Sequence, residues 1–310
     1  FVVIDRVYKR KVSTSGITTV LALSKDGTVD QPIVWQTQGI VVIDGSDKTY
    51  GIFIQYARSH VIDGFVVRGG GRGGIDLQAD NSGIVIKNCK ITDSKRAGIL
   101  YGYSGNVNNV IENNEIFRNG DQSYYGGNYD AGIYDYRQNS NNFVISNLIY
   151  QNNNFGIAHY GDTSENWVIS KNKIFGNAKT GLRILNFPKS ILRENVVFKN
   201  GGAGILPDSE VKVLNNTSVA NNTDGIYIYT TVSQSIIKNN ILAYNSDDGL
   251  DDDTSSGTNF YDFNLYYANT TDYEGSSSIG QNSIQGQDPL FYIEDSGQLE
   301  AGSTQDILYD

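Results

Sequence analysis

The sequence is poor in residues that favour helices or cross-links. It has no methionine, four prolines and a single cysteine, Cys89, so no disulfide can form within its 310 residues. No stretch approaches the ~20 consecutive apolar residues that a membrane-spanning helix needs. Gly (34) and Tyr (21) are abundant instead, which favours strands joined by tight turns. Cys89 lies in the alternating segment IVIKNCKI, which predicts a small buried side chain.

Basic residues are absent from the C-terminal part of the chain. No Lys, Arg or His follows Lys238, whereas this last part holds 14 of the 34 carboxylates. The preceding residues carry all 24 Lys and Arg against 20 acidic side chains, a small positive balance. Phosphates would be repelled from the acidic end, so we expect no nucleic-acid binding there and instead expect a bound cation.

A repeat of about 23 residues runs through most of the chain. A glycine followed by an aliphatic residue recurs at Gly51, Gly74, Gly98, Gly132, Gly156, Gly181, Gly204, Gly225 and Gly249. Between these glycines lies a second motif, an apolar run, then Asn, then another apolar pair, as in NFVISNLIY. Alternating runs this short predict strands, and the Gly and Asn residues predict turns. A unit of this size buries its apolar face only by stacking on its neighbours.

This repeat resembles that of the right-handed parallel β-helix proteins. The resemblance implies an all-β fold, a single-stranded right-handed parallel β-helix (solenoid) of about ten coils. Residues 1–310 would form one domain, with N-terminal coils over 1–50, regular coils over 51–265 and a closing segment over 266–310. One Asn of each coil is predicted to stack on the next, in the series Asn88, Asn114, Asn147, Asn172, Asn195, Asn216 and Asn240.

Alternation along the strands predicts two outward-facing columns on the glycine-bearing sheet. The first is Phe53, Asp76, Leu100, Tyr134, Ala158, Arg183, Leu206, Tyr227 and Asp251. The second is Gln55, Gln78, Gly102, Tyr136, Tyr160, Leu185, Asp208, Tyr229 and Asp253. Aromatic faces stack on sugar rings, so these columns indicate a polysaccharide-binding flank. The alternative is that the tyrosines are ordinary strand residues packed on each other.

Residues on this flank are the candidates for contact with a polysaccharide. We expect substrate binding by Tyr134, Tyr136, Arg137, Tyr227 and Tyr229, and catalytic roles for Arg183, His159 and Tyr160. Strict alternation places His159 inward, so a hydrogen-bonded core histidine is the competing interpretation. A segment of about ten extra residues in RNGDQSYYGGNYD (118–130) predicts an aromatic loop that overhangs the surface.

The acidic stretch NSDDGLDDD, 245–253, lies one coil after Asp224. Asp224 precedes Asp247 by 23 residues and Asp248 by 24, so these carboxylates should stack, with Asp251 just along the strand. Such a group could bind Ca²⁺, which prefers six to eight oxygen ligands. It could also supply the acid and base of an inverting hydrolase, or form a solvated turn.

The segments NTDG and DDGLD resemble the calcium site of family 9 pectate lyases. That resemblance implies Ca²⁺ ligation by Asp224, Asp247, Asp248 and Asp251, and a lyase that acts on uronate polysaccharides. The family's catalytic lysine, further toward the C-terminus, has no counterpart because no basic residue follows Lys238. The same segments also resemble polygalacturonase-type hydrolases, which implies Asp224, Asp247 and Asp248 as acid and base, but that family's Gly-His-Gly and Arg-Ile-Lys elements are missing.

The sequence therefore predicts a polysaccharide-active protein, with a Ca²⁺-assisted lyase of an extended acidic polysaccharide as the leading interpretation. A non-catalytic binding, adhesion or surface-structural protein is the alternative from another class. We expect a monomer that is secreted or at the cell surface, with no nucleic-acid partner and no membrane span. The abrupt start at FVVIDRVYK is typical of a chain from which a leader has been removed.

Overall fold

The computed structural model describes residues 2–4, 12–14, 17–121, 130–207, 210–254, 258–275 and 278–290. Most of the predicted aromatic loop, residues 122–129, lies outside these ranges, as does 291–310 of the predicted closing segment. The described part is built from strands and turns, which confirms the all-β prediction. It contains no helix that could cross a membrane.

The strands form two long sheets. The 12-stranded sheet contains Val12–Thr14, Ile17–Leu23, Tyr50–Gln55, Gly73–Ala79, Ala97–Tyr101, Ala131–Asp135, Phe155–His159, Leu182–Ile184, Ile205–Leu206, Ile226–Ile228, Asp248–Asp252 and Thr271–Gly275. The 20-stranded sheet contains Val2–Ile4, Ile33–Asp44, His60–Arg68, Val85–Lys87, Lys90–Thr92, Val110–Glu112, Glu115–Phe117, Phe143–Ile145, Leu148–Tyr150, Val168–Ser170, Lys173–Phe175, Ile191–Arg193, Val196–Phe198, Lys212–Leu214, Thr217–Val219, Ile236–Lys238, Ile241–Ala243, Phe260–Asp262, Leu265–Tyr267 and Ile284–Gln285.

Strands pair with the equivalent strands of the neighbouring coils, and the pairing is parallel. Ile99, for example, aligns with Ile75 on one side and with Ile133 on the other. The antiparallel exception is Val12–Thr14 against Ile17–Leu23, at the N-terminal end. About ten coils stack in this way, so the chain is a single parallel β-helix, as predicted. Each coil adds roughly 4.8 Å along the axis.

The repeated glycines are required by close packing between coils. A Cβ atom on Gly132 would lie 2.7 Å from the carbonyl oxygen of Gly156 and 2.7 Å from a methyl carbon of Ile149. No side chain fits at that distance without moving backbone. The residue after each glycine, such as Ile133 or Ile157, points into the interior and is buried, as alternation predicts.

Two long ladders of asparagine side chains run along the corners of the described coils, and a shorter one joins Asn81, Asn106 and Asn139. One runs through Asn114, Asn147, Asn172, Asn195, Asn216, Asn240 and Asn264, and the other through Asn119, Asn152, Asn177, Asn200, Asn221, Asn245 and Asn269. In each step a side-chain amide donates to the side-chain oxygen of the next Asn, so these buried polar groups are satisfied. The second ladder was not predicted.

The start of the predicted ladder was wrong by one residue. Cys89, which is buried as predicted, occupies the ladder position, and its backbone N–H donates to the Asn114 side-chain oxygen at 2.9 Å. Asn88 instead lies at the surface with a left-handed backbone (φ 52°) and donates to Asp63. At this turn the asparagine side chain points to the surface, and the residue after it takes the ladder position.

Candidate functional site

The outer face of the 12-stranded sheet carries the first predicted column. Phe53, Asp76, Leu100, Tyr134, Ala158, Arg183 and Leu206 are aligned in consecutive coils. Further along, Tyr227 is aligned with Asp251. The alternation argument therefore placed these residues on one flank of the molecule, and we call this flank the groove face.

Three carboxylates converge at the C-terminal end of the groove face. One oxygen each from Asp224, Asp248 and Asp251 lies within 4.8 Å of the other two. Asp224 precedes the strand Ile226–Ile228, and Asp248 begins the next strand in the stack. The Asp248 backbone N–H donates to Asp224 Oδ1 at 3.3 Å, which ties the two turns together. We call Asp224, Asp248 and Asp251 the carboxylate cluster.

The pKa values of the three carboxyl groups in the carboxylate cluster are raised. Burial, reinforced by neighbouring carboxylates, raises the pKa of Asp251 to about 7 and that of Asp248 to about 6. Burial also raises the pKa of Asp224. Asp248 Oδ1 is buried and has no hydrogen-bond partner among the described residues. Several oxygens that repel each other, one of them unpartnered, fit a hard cation such as Ca²⁺.

A fourth carboxylate at this end was missed by sequence reasoning. Glu274 is aligned with Asp251 in the next strand of the stack, and its charge contributes to the raised pKa of Asp248 and Asp251. The signal was available, because Glu274 follows Asp251 by 23 residues, the length of a coil. Glu274 is exposed, so its side chain lies on the solvent side of the carboxylate cluster.

Asp247 is not a member of the carboxylate cluster. Its side chain is exposed, and its backbone carbonyl accepts a hydrogen bond from the Thr270 N–H. Of the four predicted ligands, three therefore lie together and Asp247 does not join them, because the turn that buries Asp248 directs the preceding residue outward. The short separation within the cluster also differs from the roughly 6.5–9.5 Å that an inverting hydrolase needs between its two carboxyl groups.

Exposed tyrosine rings and the Arg183 guanidinium lie along the groove face. Tyr160 and Tyr229 are 49% and 48% exposed, enough for a ring face to contact a ligand. The Arg183 guanidinium lies 5.2 Å from the ring centroid of Tyr160, and burial lowers the pKa of Arg183. Tyr227 is half-buried and donates from its hydroxyl to Asp253 Oδ2 at 2.7 Å, which raises its pKa.

Tyr134 and Tyr136 differ from the predicted pair of ligand-facing rings. Tyr134 is fully buried, and its hydroxyl donates to the Tyr160 backbone carbonyl at 3.3 Å. Tyr136 packs beside it with centroids 6.4 Å apart and remains partly exposed. Arg137 covers the Tyr136 ring at 4.6 Å and forms an ion pair with Asp162 at 3.2 Å. Tyr134 is therefore buried beneath the surface of the groove face, and its contact with a substrate stays a prediction.

His159 lies in the interior and is not a groove residue. Its side chain is fully buried, with Nδ1 at the Leu185 carbonyl and Nε2 3.7 Å from Asp135 Oδ2. Burial lowers the pKa of His159 to about 4 and raises that of Asp135 to about 8, so burial disfavours the charged form of both groups. The catalytic prediction for His159 is corrected, because the strand keeps its alternation and no bend exposes the ring.

Sequence reasoning also missed a cavity at the other end of the groove face. It has a volume of about 330 Å³ and is lined by groove residues together with Arg72 and Arg96. These two arginines immediately precede the strands Gly73–Ala79 and Ala97–Tyr101. They lie in turns, where the alternation rule does not apply, so they appeared in neither predicted column.

Comparisons with known proteins support the fold. A model of the family described as right handed beta helix region matches residues 33–187 and 127–265. Mannuronan C5-epimerase of Pseudomonas putida is 29% identical over 188 residues, which are 60% of this chain and 33% of that protein. The chain thus spans about a third of the length of this curated relative.

Two solved structures are similar over most of the chain. Pectate lyase Pel9A superposes with a TM-score of 0.65 at 16% identity, covering 90% of this chain and 73% of that one. A mannuronic acid specific polysaccharide family 6 lyase from human gut microbiota has a TM-score of 0.54 at 11% identity, with 92% and 76% covered. At these identities the likeness concerns the fold. The family match covers well over half of the sequence, and the chain belongs to the right-handed β-helix family.

Proposed function

We propose that this protein is a Ca²⁺-assisted lyase that acts on an extended acidic polysaccharide. The carboxylate cluster is the observation that carries the proposal, since Asp224, Asp248 and Asp251 bring oxygens within 4.8 Å of one another on the same face as exposed tyrosines. The relatives named as lyases and as an epimerase of uronate polymers support the substrate class. A polymeric substrate implies a secreted or cell-surface location.

The carboxylate cluster would hold the cation, with Glu274 near it on the solvent side. Bound Ca²⁺ supplies positive charge beside a substrate carboxylate and makes the neighbouring C–H bond more acidic. The chain's own task is then to orient the sugar and move the proton. Tyr160 and Tyr229 offer ring faces on which sugars stack, which fixes the polymer along the groove face.

Arg183 is our candidate for the proton acceptor. It lies on the groove face against Tyr160, and burial that lowers its pKa makes the neutral form less costly than it is in water. Tyr227 retains its proton because of the hydrogen bond to Asp253, which makes it a weak acid, so the departing oxygen would take its proton from water. Arg183 lies two coils before Tyr227, roughly 10 Å along the axis, so its long side chain would have to reach toward the carboxylate cluster to take the proton of the sugar held there.

A second candidate is epimerisation of the sugar without cleavage. The named mannuronan C5-epimerase, similar over 188 residues, is the observation that favours it. Both reactions begin with removal of the proton next to the carboxylate. A lyase then expels the glycosidic oxygen, whereas an epimerase returns a proton to the opposite face of the sugar.

The test is incubation with polygalacturonate and with polymannuronate, with Ca²⁺ or with EGTA. Growth of the ultraviolet absorbance of unsaturated chain ends, lost with EGTA and in Asp248→Asn, would support the lyase. Deuterium uptake from heavy water at an inverted carbon, without shortening of the chain, would support the epimerase instead. Binding with neither change would refute both and indicate a non-catalytic binding protein. Asp93→Asn is the control, since Asp93 is an exposed carboxylate that pairs with Arg118.

A further inference from the structure

Two cations on the groove face share one aromatic ring. The Lys179 ammonium lies 5.7 Å from the centroid of the Phe155 ring, and the Arg183 guanidinium lies 5.2 Å from the same centroid. Neither charged group forms a hydrogen bond or an ion pair within the part of the chain that the structure describes. Two like charges at one ring, without a counter-charge among these residues, create a positive potential that favours an anion.

The Arg183 guanidinium is held by aromatic rings, which leaves its N–H donors unused. Arg183 is aligned with Ala158 of the preceding coil, and that small side chain leaves room for the guanidinium. The guanidinium lies against Phe155 and, at 5.2 Å, against Tyr160. Burial lowers the pKa of Arg183, and the groups that act in the opposite direction are tyrosine hydroxyls. Tyrosine hydroxyls are ordinarily uncharged near pH 7, so they do not neutralise the guanidinium.

Lys179 is the exposed member of this pair of cations. It lies in the turn before the strand Leu182–Ile184, and its backbone N–H donates to the Asn154 carbonyl at 2.7 Å. Its side chain is exposed, whereas Arg183 is half-buried, so Lys179 is the group that a polymer on the groove face can contact. Tyr160, which lies against Arg183, is 49% exposed, so a ring face for a sugar borders the two cations.

We propose that Lys179 is a substrate-binding residue, which holds the carboxylate of one uronate unit in the same polysaccharide that reaches the carboxylate cluster. The inference rests on the proposed function for its substrate class. Three coils separate Leu182, just after Lys179, from Leu250, in the strand that carries the cluster, a distance of roughly 14 Å along the axis. An extended chain of several sugars spans this distance, so one polymer is held at two points. Arg183 adds to the positive potential from below and keeps its place as the candidate proton acceptor.

The test is calorimetric binding of oligosaccharides from polygalacturonate and polymannuronate, each compared with its carboxyl-reduced, neutral counterpart. Every protein in the comparison carries Asp248→Asn and is kept in EGTA, so that no cation at the carboxylate cluster contributes. The measured quantity is the change in affinity caused by a second substitution at Lys179, because the remaining carboxylates act equally on both proteins. No detectable binding of either uronate to the protein that retains Lys179 overturns the proposal.

Lysine variants locate the effect. Lys179→Gln should weaken uronate binding on the order of fivefold, the size of one exposed ion pair, and leave the neutral sugar unchanged. Lys179→Arg keeps the charge and should retain most of the affinity. Lys189→Gln is the matched control, because it removes the same charge from an exposed lysine that pairs with Glu165 and lies before the strand Ile191–Arg193 of the other sheet.

Three results would overturn the proposal. Equal losses in Lys179→Gln and Lys189→Gln would reflect net charge alone, and no loss in Lys179→Gln would show that the lysine makes no contact. An equal loss for the uronate and the neutral sugar would show that Lys179 only supports the Phe155 ring against which it lies.

The binding assay is independent of turnover, so the two proposals fail separately. Inactivity toward both polymers, with uronate binding that depends on Lys179, would refute the lyase and retain the substrate contact. Activity that EGTA abolishes, with uronate binding that Lys179→Gln does not change, would retain the lyase and overturn the contact.

Discussion

Calcium should stabilise this protein in a way that depends on Asp248 and on pH. The carboxylate cluster repels itself when ionised, and a bound cation removes that repulsion. A ligand that binds only the folded state at 100 times its Kd adds about 2.7 kcal/mol to the free energy of unfolding. With an unfolding entropy of about 2.1 cal/mol/K per residue over 310 residues, this corresponds to a rise in Tm of about 4 °C.

The sign of the pH dependence follows from the two raised pKa values. Asp248 and Asp251 titrate at about 6 and about 7 in the folded protein, above the 3.8 expected for an unfolded Asp. The folded state therefore binds more protons between pH 4 and 7, and without Ca²⁺ its stability falls as the pH rises through that window. Calcium must displace these protons, so its affinity should fall on the order of 100-fold between about pH 8 and about pH 5.5.

The assay is thermal unfolding at both pH values, with Ca²⁺ or with EGTA. Asp248→Asn should abolish the calcium shift at pH 8, and its Tm in EGTA should equal or exceed that of the unmodified protein, because one repelling charge is gone. Asp247→Asn, which removes the exposed neighbour, should reduce the shift less. An equal calcium shift at both pH values, or a full shift in Asp248→Asn, would refute the reasoning.

Three further predictions concern the groove and the ladder. Arg183→Lys should lower kcat at least tenfold with little change in KM, because the guanidinium is positioned against Tyr160. An unchanged kcat in steady-state kinetics would exclude Arg183 as the proton acceptor. Tyr229→Ala should instead raise KM several-fold with kcat retained, because a sugar can no longer stack on this exposed ring; steady-state kinetics on the same polymer would detect it, and an unchanged KM would contradict it. Asn172→Ala should lower the free energy of unfolding by about 3–6 kcal/mol, because it removes five hydrogen bonds and leaves buried groups unpaired. The control is the surface variant Asn88→Ala, which should cost about 1–2 kcal/mol at its left-handed position. Denaturant titration measures both losses, and equal losses would contradict the prediction.

The alignment of coils was predictable because it depends on the backbone, and the spacing of the repeated glycines follows the backbone directly. The glycines can only lie where coils approach closely, as at Gly132, so their spacing sets which residues stack. Asp224 and Asp248 were placed together by counting one coil, and the same count would have found Glu274. What counting does not supply is the direction of a side chain inside a turn, which is why Asp247 was predicted to lie with the other carboxylates although its side chain is exposed.

Whether a side chain on the groove face is buried was less predictable than the direction in which it points from its strand. Tyr134 points outward from its strand, as alternation requires, yet it is fully buried because its neighbours on the same face cover it. Arg72 and Arg96 reach the face from turns, so no periodic rule on strand residues includes them. Both errors come from packing between side chains of different coils, which depends on side-chain length and rotamer and not on the period of the repeat.

The charges along the groove face suggest why the two ends need different binding chemistry. Arginines line the cavity near Gly102, whereas the far end carries the carboxylate cluster, Glu274 and Asp253. A polyanion is repelled by the carboxylates of the far end unless a cation is bound there. Removal of Ca²⁺ should therefore weaken polymer binding, which calorimetric titration of the polymer in Ca²⁺ and in EGTA would detect, and equal affinity in the two solutions would contradict it.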